Sequence, residues 1–114
     1  LGRAEALRSS GKEEAAVEVL AALTRQFPNS PNGFSILGNH YRRLEAYDRA
    51  EVAYKEAIKL YQAKGEAGWF LYYVRGITRE RLNLWGLAEK DFRKAISLRD
   101  RLSGREFLAP PDRG

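Results

Sequence analysis

Apolar residues recur along this chain at three- and four-residue spacing, the period of a helix with one buried face. Ala4 and Leu7 open the pattern, and Ala16, Val19, Leu20 and Leu23 continue it. Phe34, Leu37, Tyr41 and Leu44 follow, with Gly38 among them. Ala50, Ala53, Tyr54, Ala57, Ile58 and Tyr61 form the next stripe. Breaks separate these runs. Ser10-Gly11 offers a left-handed cap. In Phe27-Pro28-Asn29-Ser30-Pro31, Pro28 stops one helix. Ser30 then caps the next, with Pro31 at the first position, where a missing N–H costs nothing. Glu13 and Glu14 stand where a helix N-terminus favours negative charge. The pattern predicts helices over about 1–10, 13–26, 31–44, 47–63, 66–82 and 85–102. Residues 103–114 hold Gly104, Pro110, Pro111 and Gly114 and are expected to be irregular, with Phe107 and Leu108 as an apolar, sticky element.

The stripes repeat one another. Between Trp69 and Leu98 the order is Tyr72, Gly76, Trp85, Ala88, Phe92, Ala95 and Leu98. Thirty-eight residues earlier it reads Phe34, Gly38, Tyr47, Ala50, Tyr54, Ala57 and Leu60. A further 34 residues back, Ala16, Leu20 and Leu23 recur, with Ala4 in the glycine's place. A self-similar unit of this length marks a stacked repeat architecture. The last unit starts about four residues late, at Trp69, with the extra residues inside Lys64–Gly68. Four residues are close to one turn, so a longer fifth helix from about Glu66 is expected, with the break near Gly65.

These residues resemble the tetratricopeptide repeat, a helix hairpin with a small residue in its first helix and Ala, Phe or Tyr, and Ala in its second. The resemblance covers nearly all of residues 1–102. It implies an all-α fold, a right-handed superhelical stack of antiparallel helix pairs, with about six helices. The domain is then residues 1–102, in repeats of about 1–30, 31–64 and 69–102, with 103–114 as tail. Leu1 falls inside the first repeat, so the chain is expected to be part of a longer protein.

Within such a repeat Gly38 and Gly76 are small so that neighbouring helices approach closely. A helical glycine costs about 1 kcal/mol against alanine, so two equivalent ones need a packing reason. Ala50, Ala57, Ala88 and Ala95 act alike on the second helices, Tyr54 and Phe92 fill the gap between repeats, and Tyr47 and Trp85 are expected to pack at the turns. One contrast stands out. Leu37 and Ala53 face each other in the middle repeat, and the equivalent positions carry Arg75 and Asp91 in the last. Both change from apolar to charged with opposite signs, which predicts a salt bridge across that hairpin. The pairing resembles a common bacterial variant of the family.

Composition narrows the function. The 114 residues carry 20 basic and 15 acidic side chains, a net charge of +5, and no cysteine. Disulfides and thiolate zinc sites are thereby excluded. No run of 18 apolar residues exists to span a membrane, and no signal peptide is visible. The compartment stays open: cytoplasmic is preferred, and periplasmic applies if a parent chain carries a signal. His40 is the single histidine. It has no metal-ligand spacing around it and reads as a helix-surface residue, so no metal or cofactor is expected. No G-x-S-x-G elbow or phosphate-binding glycine loop occurs, and no enzyme is expected.

What the resemblance implies instead is a protein-interaction scaffold. Its first helices line a concave groove that grips an extended peptide. Carried onto this chain, the groove is Asn39, Arg42, Arg43, Phe70, Tyr73, Ile77 and Arg81, with Asn32, Ser35 and Val74 beside them and Glu5 and Arg8 from the first repeat. Arginine forks suit carboxylates and aromatics supply apolar contact, so a peptide with an acidic group and a bulky side chain is expected. The family's carboxylate clamp for chaperone tails is not expected, because Phe70 and Val74 stand where it needs basic residues. Two alternatives remain. A basic helical repeat binds nucleic acid, although acidic residues interrupt the basic ones in Arg79-Glu80-Arg81 and Glu89-Lys90-Asp91. An uncapped end of the stack forms a homodimer.

Overall fold

The computed structural model describes residues 2–65 and 68–107, with side chains over 11–65 and 68–101. Among the described residues there are five helices: α1 (Gly2–Gln26), α2 (Pro31–Arg43), α3 (Tyr47–Ala63), α4 (Trp69–Arg81) and α5 (Trp85–Phe107). Each packs on the next in chain order. Two short hairpins, α2–α3 and α4–α5, stack through α3 against α4, and α1 lies on α2.

Local chemistry sets the ends. Ser30 is extended at φ −95°, its hydroxyl accepts from the Gly33 N–H at 3.4 Å, and Pro31 opens α2. Both hairpin turns close in the same way. In the first, Glu45 adopts φ 61° and the Ala46 N–H reaches back to the Tyr41 carbonyl at 2.8 Å. In the second, Asn83 adopts φ 63° and the Leu84 N–H reaches the Arg79 carbonyl at 2.8 Å. This left-handed residue followed by a six-to-one bond satisfies carbonyls that a helix end leaves open. Gly65, at φ 81°, ends α3 in the left-handed region that glycine enters cheaply.

The core lies between the hairpins. Ala50, Tyr54 and Ala57 are fully buried from α3, Leu71, Tyr72 and Val74 come from α4, and Ala95 from α5. The repeat glycines show why they are small. A methyl on Gly38 would stand 2.7 Å from the Tyr54 ring, and one on Gly76 would stand 2.7 Å from the Phe92 ring. Each aromatic ring packs against the backbone that its glycine exposes.

In its helices and turns the structure departs from the sequence expectations in four places. Ser10-Gly11 does not break the first helix, and α1 runs through it. Nothing lies within 4 Å of a Cβ built on Gly11, and the following Lys12-Glu13-Glu14-Ala15-Ala16 are good helix formers that a single glycine does not overcome. α4 starts at Trp69 behind an extended Gly68, so the extra residues lie in the connection and do not lengthen the helix; Glu66 and Ala67 fall outside the described residues. α5 passes the expected end at Leu102 and continues to Phe107, since the first proline comes at Pro110. The expectation for residues 108–114, and those resting on the side chains of Ala4, Leu7 and Phe107, lie outside what is described. Finally, Trp85 is 61% exposed and does not pack at its turn, whereas Tyr47 is half-buried beside Leu82. Tyr47 has a following hairpin to meet, and Trp85 has none among the described residues.

Candidate functional site

The expected groove residues stand on α2 and α4, and the structure sorts them into three groups. Asn39 and Arg42 are drawn into the α2–α3 hairpin. The Tyr54 hydroxyl donates to the Asn39 side-chain carbonyl at 2.6 Å and accepts from the Arg42 Nε at 3.0 Å. A second Arg42 nitrogen donates to the same carbonyl at 3.4 Å. Burial raises the Tyr54 pKa above its ordinary value of 10.0, and the Arg42 hydrogen bond and charge oppose the rise. Arg42 is thus half-buried and positioned by its neighbours.

Arg43 is exposed at the end of α2. It lies 3.8 Å from Glu13 of α1 and 3.3 Å from His40 Nδ1, and His40 itself contacts the Glu13 carboxylate. The histidine expected at a plain helix surface is therefore half-buried in a contact that joins α1 to α2. Its partner is 27 residues away in the chain, so spacing carried no signal for it.

Phe70 and Tyr73 are 50% and 43% exposed and cluster with the half-buried Trp69, at ring centroid distances of 5.8 to 6.4 Å. Tyr73 also meets Phe92 of α5 at 6.0 Å. Trp69, Tyr73, Phe92, Ala95, Ile96 and Arg99 line a cleft of about 500 Å³. Trp69 was missed as a site residue, although it precedes Tyr73 by one helical turn and shares its face. Ile77 is half-buried and Arg81 exposed near the end of α4. Val74, expected beside the groove, is in the core at 2% exposure. Glu5 and Arg8 lie outside the described side chains.

Behind this face sits a charge network. Arg75 grips Asp91 through two hydrogen bonds of 2.8 and 2.9 Å. Arg79 reaches the same carboxylate at 3.1 Å and holds Glu51 of α3 at 3.0 Å. Two cations and two carboxylates balance in a largely buried setting. This fork geometry fixes side-chain direction as well as supplying energy. The network ties the hairpins together and holds α4 in register beneath its exposed aromatics. Among the described residues, no group of three His, Cys, Asp or Glu side chains is placed to hold a metal ion. Among them, no helix is long and apolar enough to cross a membrane.

A family model described as the tetratricopeptide repeat matches residues 34–64, which span most of α2, the turn and α3. The fold agrees with the crystal structure of MamA protein at a TM-score of 0.70 and 22% identity. That match covers 87% of this chain and 52% of the MamA chain, so this chain spans about half that protein's length. No curated protein matches. The repeat match at residues 34–64 supports the general reading of a protein–protein interaction scaffold, and the likeness to MamA shows the fold.

Proposed function

We propose that the face formed by α2 and α4 binds an extended segment of a partner protein carrying a bulky apolar residue and an acidic group. The observation that carries this reading is the exposed aromatic cluster of Phe70 and Tyr73 on Trp69 of α4; the cleft of about 500 Å³ that Trp69 and Tyr73 share with α5 opens on its other side. Half-exposed aromatic side chains clustered on one face anchor interfaces at low entropy cost. Arg43 and Arg81 are exposed at the ends of the same two helices and supply the positive charge for the acidic group. Arg42 serves by holding Asn39 in place through Tyr54, and Asn39 keeps its amide N–H₂ for a backbone carbonyl of the segment.

The test uses a fluorescent extended peptide with one Phe and one Glu, and a copy with Lys replacing Glu, titrated against the whole chain. The Glu peptide is expected to bind more tightly, and Tyr73→Ala to weaken it about tenfold, near 1.4 kcal/mol. Arg43→Ala and Arg81→Ala are expected to weaken the Glu peptide more than the Lys peptide. Equal binding of the two peptides, or no loss in Tyr73→Ala, overturns the proposal.

A further inference from the structure

The two junctions of the stack differ at equivalent positions. Where α3, α4 and α5 meet, Glu51, Arg75, Arg79 and Asp91 fill the space with paired charge. Where α1, α2 and α3 meet, the repeat offset puts Val17, Leu37, Tyr41 and Ala53 at those positions. The network is replaced by apolar groups, and a cleft of about 570 Å³ remains open there. That size is within the range of ligand sites, roughly 300–1,000 Å³. Its floor is Phe34, Leu37 and Ala53, and α1 closes one side with Ala21 and Thr24. On the other side Val52 of α3 is 64% exposed.

The rim carries both signs. Asp48 and Glu56 stand one turn either side of Val52 on α3, and Arg25 and Arg49 line the same cleft. None of these four forms an ion pair with another described residue. We propose that this cleft docks an amphipathic helix of a partner protein, with an apolar side chain against Val52 and Leu37. Basic residues of that helix face Asp48 and Glu56, and an acidic residue faces Arg25. Asp48 and Glu56 are eight residues apart on one helix line, about 12 Å, the span of two turns of the incoming helix. A nucleic-acid backbone or an anionic lipid surface is a poor fit, because its uniform negative charge suits Arg25 and Arg49 but meets the Asp48 and Glu56 carboxylates beside them. The site is distinct from the α2–α4 face: it lies between α1 and α3 and includes neither the aromatic cluster nor Arg81.

The probe is a synthetic helical peptide with a central Leu, a Lys one turn before and after it, and a Glu on the opposite edge. A charge-reversed copy exchanges the Lys and Glu positions. Binding to the whole chain is read by fluorescence anisotropy and located by amide chemical shifts. A dissociation constant on the order of 10–100 µM is expected, at least about tenfold tighter than for the reversed peptide. Val52→Asp is expected to weaken binding about tenfold, with an unchanged circular dichroism melt because Val52 is exposed. The double variant Leu37→Arg/Ala53→Asp, which copies the second junction, is expected to lose binding as well, while Tyr73→Ala leaves it unchanged. No saturation below about 1 mM, equal binding of the two peptides, or full affinity in Val52→Asp overturns the proposal.

Discussion

Arg79 of α4 stands 3.0 Å from Glu51 of α3, so one arginine joins two hairpins while also holding Asp91 within its own. The Asp91 side chain is 4% exposed and has Arg75 and Arg79 around it. Removing Asp91 leaves Arg75 without the acidic partner it grips and Arg79 with Glu51 alone. Asp91→Ala is therefore expected to destabilise the chain by about 3–5 kcal/mol, because breaking a buried network costs more than the network contributes. The double variant Arg75→Leu/Asp91→Ala copies Leu37 and Ala53 of the middle repeat and removes charge in balance. It is expected to recover a large part of the loss. Urea midpoints of the two variants check this, and equal midpoints would show that charge balance is not what matters there.

Gly38 and Gly76 make a matched pair for a second prediction. Each is pressed on by an aromatic ring at 2.7 Å from where a Cβ would sit. Alanine is the better helix former, yet Gly38→Ala and Gly76→Ala are each expected to cost about 1–3 kcal/mol, the usual penalty for overpacking. Gly11→Ala has open space around it and is expected to stabilise by about 0.5–1 kcal/mol. Thermal melts of the three variants should separate by sign.

Much of this packing is readable in the chain itself. The glycine-to-aromatic spacing from Gly38 to Tyr54 recurs from Gly76 to Phe92, and repeated spacing reports a repeated contact. Pro28 and Pro31 mark a helix end because a missing N–H acts locally. The Arg75–Asp91 contact is readable because both positions change together from apolar to charged. What resists reading depends on distant neighbours. Gly11 ends no helix, because the helix formers Lys12-Glu13-Glu14-Ala15-Ala16 that follow it outweigh one glycine. The link from Glu51 to Arg79 needs the docking of one hairpin on the next, which no local spacing encodes. Nor does spacing show that Arg42 is taken up by Tyr54, or that Val74 faces the core and leaves Tyr73 outside. A helix stripe tells which residues are apolar, and the neighbouring helix decides which of them is covered.

Glu45 sets up a third prediction. It sits at φ 61°, where a non-glycine residue is strained, while the equivalent residue of the next hairpin is Asn83, a type that tolerates this region. Glu45 is exposed and its carboxylate forms no ion pair with another described residue. Glu45→Asn and Glu45→Gly are each expected to raise stability by up to about 1 kcal/mol without changing the fold. A rise in urea midpoint with an unchanged far-ultraviolet spectrum is the signature, and a fall in both variants would mean that the side chain has a role the turn geometry does not reveal.

Tyr54 makes the chain sensitive to alkali. Its ring is fully buried against Gly38, and its hydroxyl sits between Asn39 and Arg42. Burial raises the pKa of that hydroxyl above 10.0 in the folded state. Below pH 10.0 the group is protonated whether the chain is folded or not, so its contribution is fully present. As pH climbs past that value, the unfolded chain releases the proton while the folded chain retains it. Stability is then lost with rising pH until the folded hydroxyl ionises too. Tyr54→Phe keeps the ring packing and removes the titrating group. At neutral pH it is expected to cost about 1 kcal/mol for the lost hydrogen bonds. Between about pH 9 and 11, near the ordinary tyrosine range, its stability should fall less steeply than that of the natural chain. Urea midpoints across that range would show two curves converging as the pH rises. Parallel curves would place the alkaline loss on lysines or other tyrosines instead.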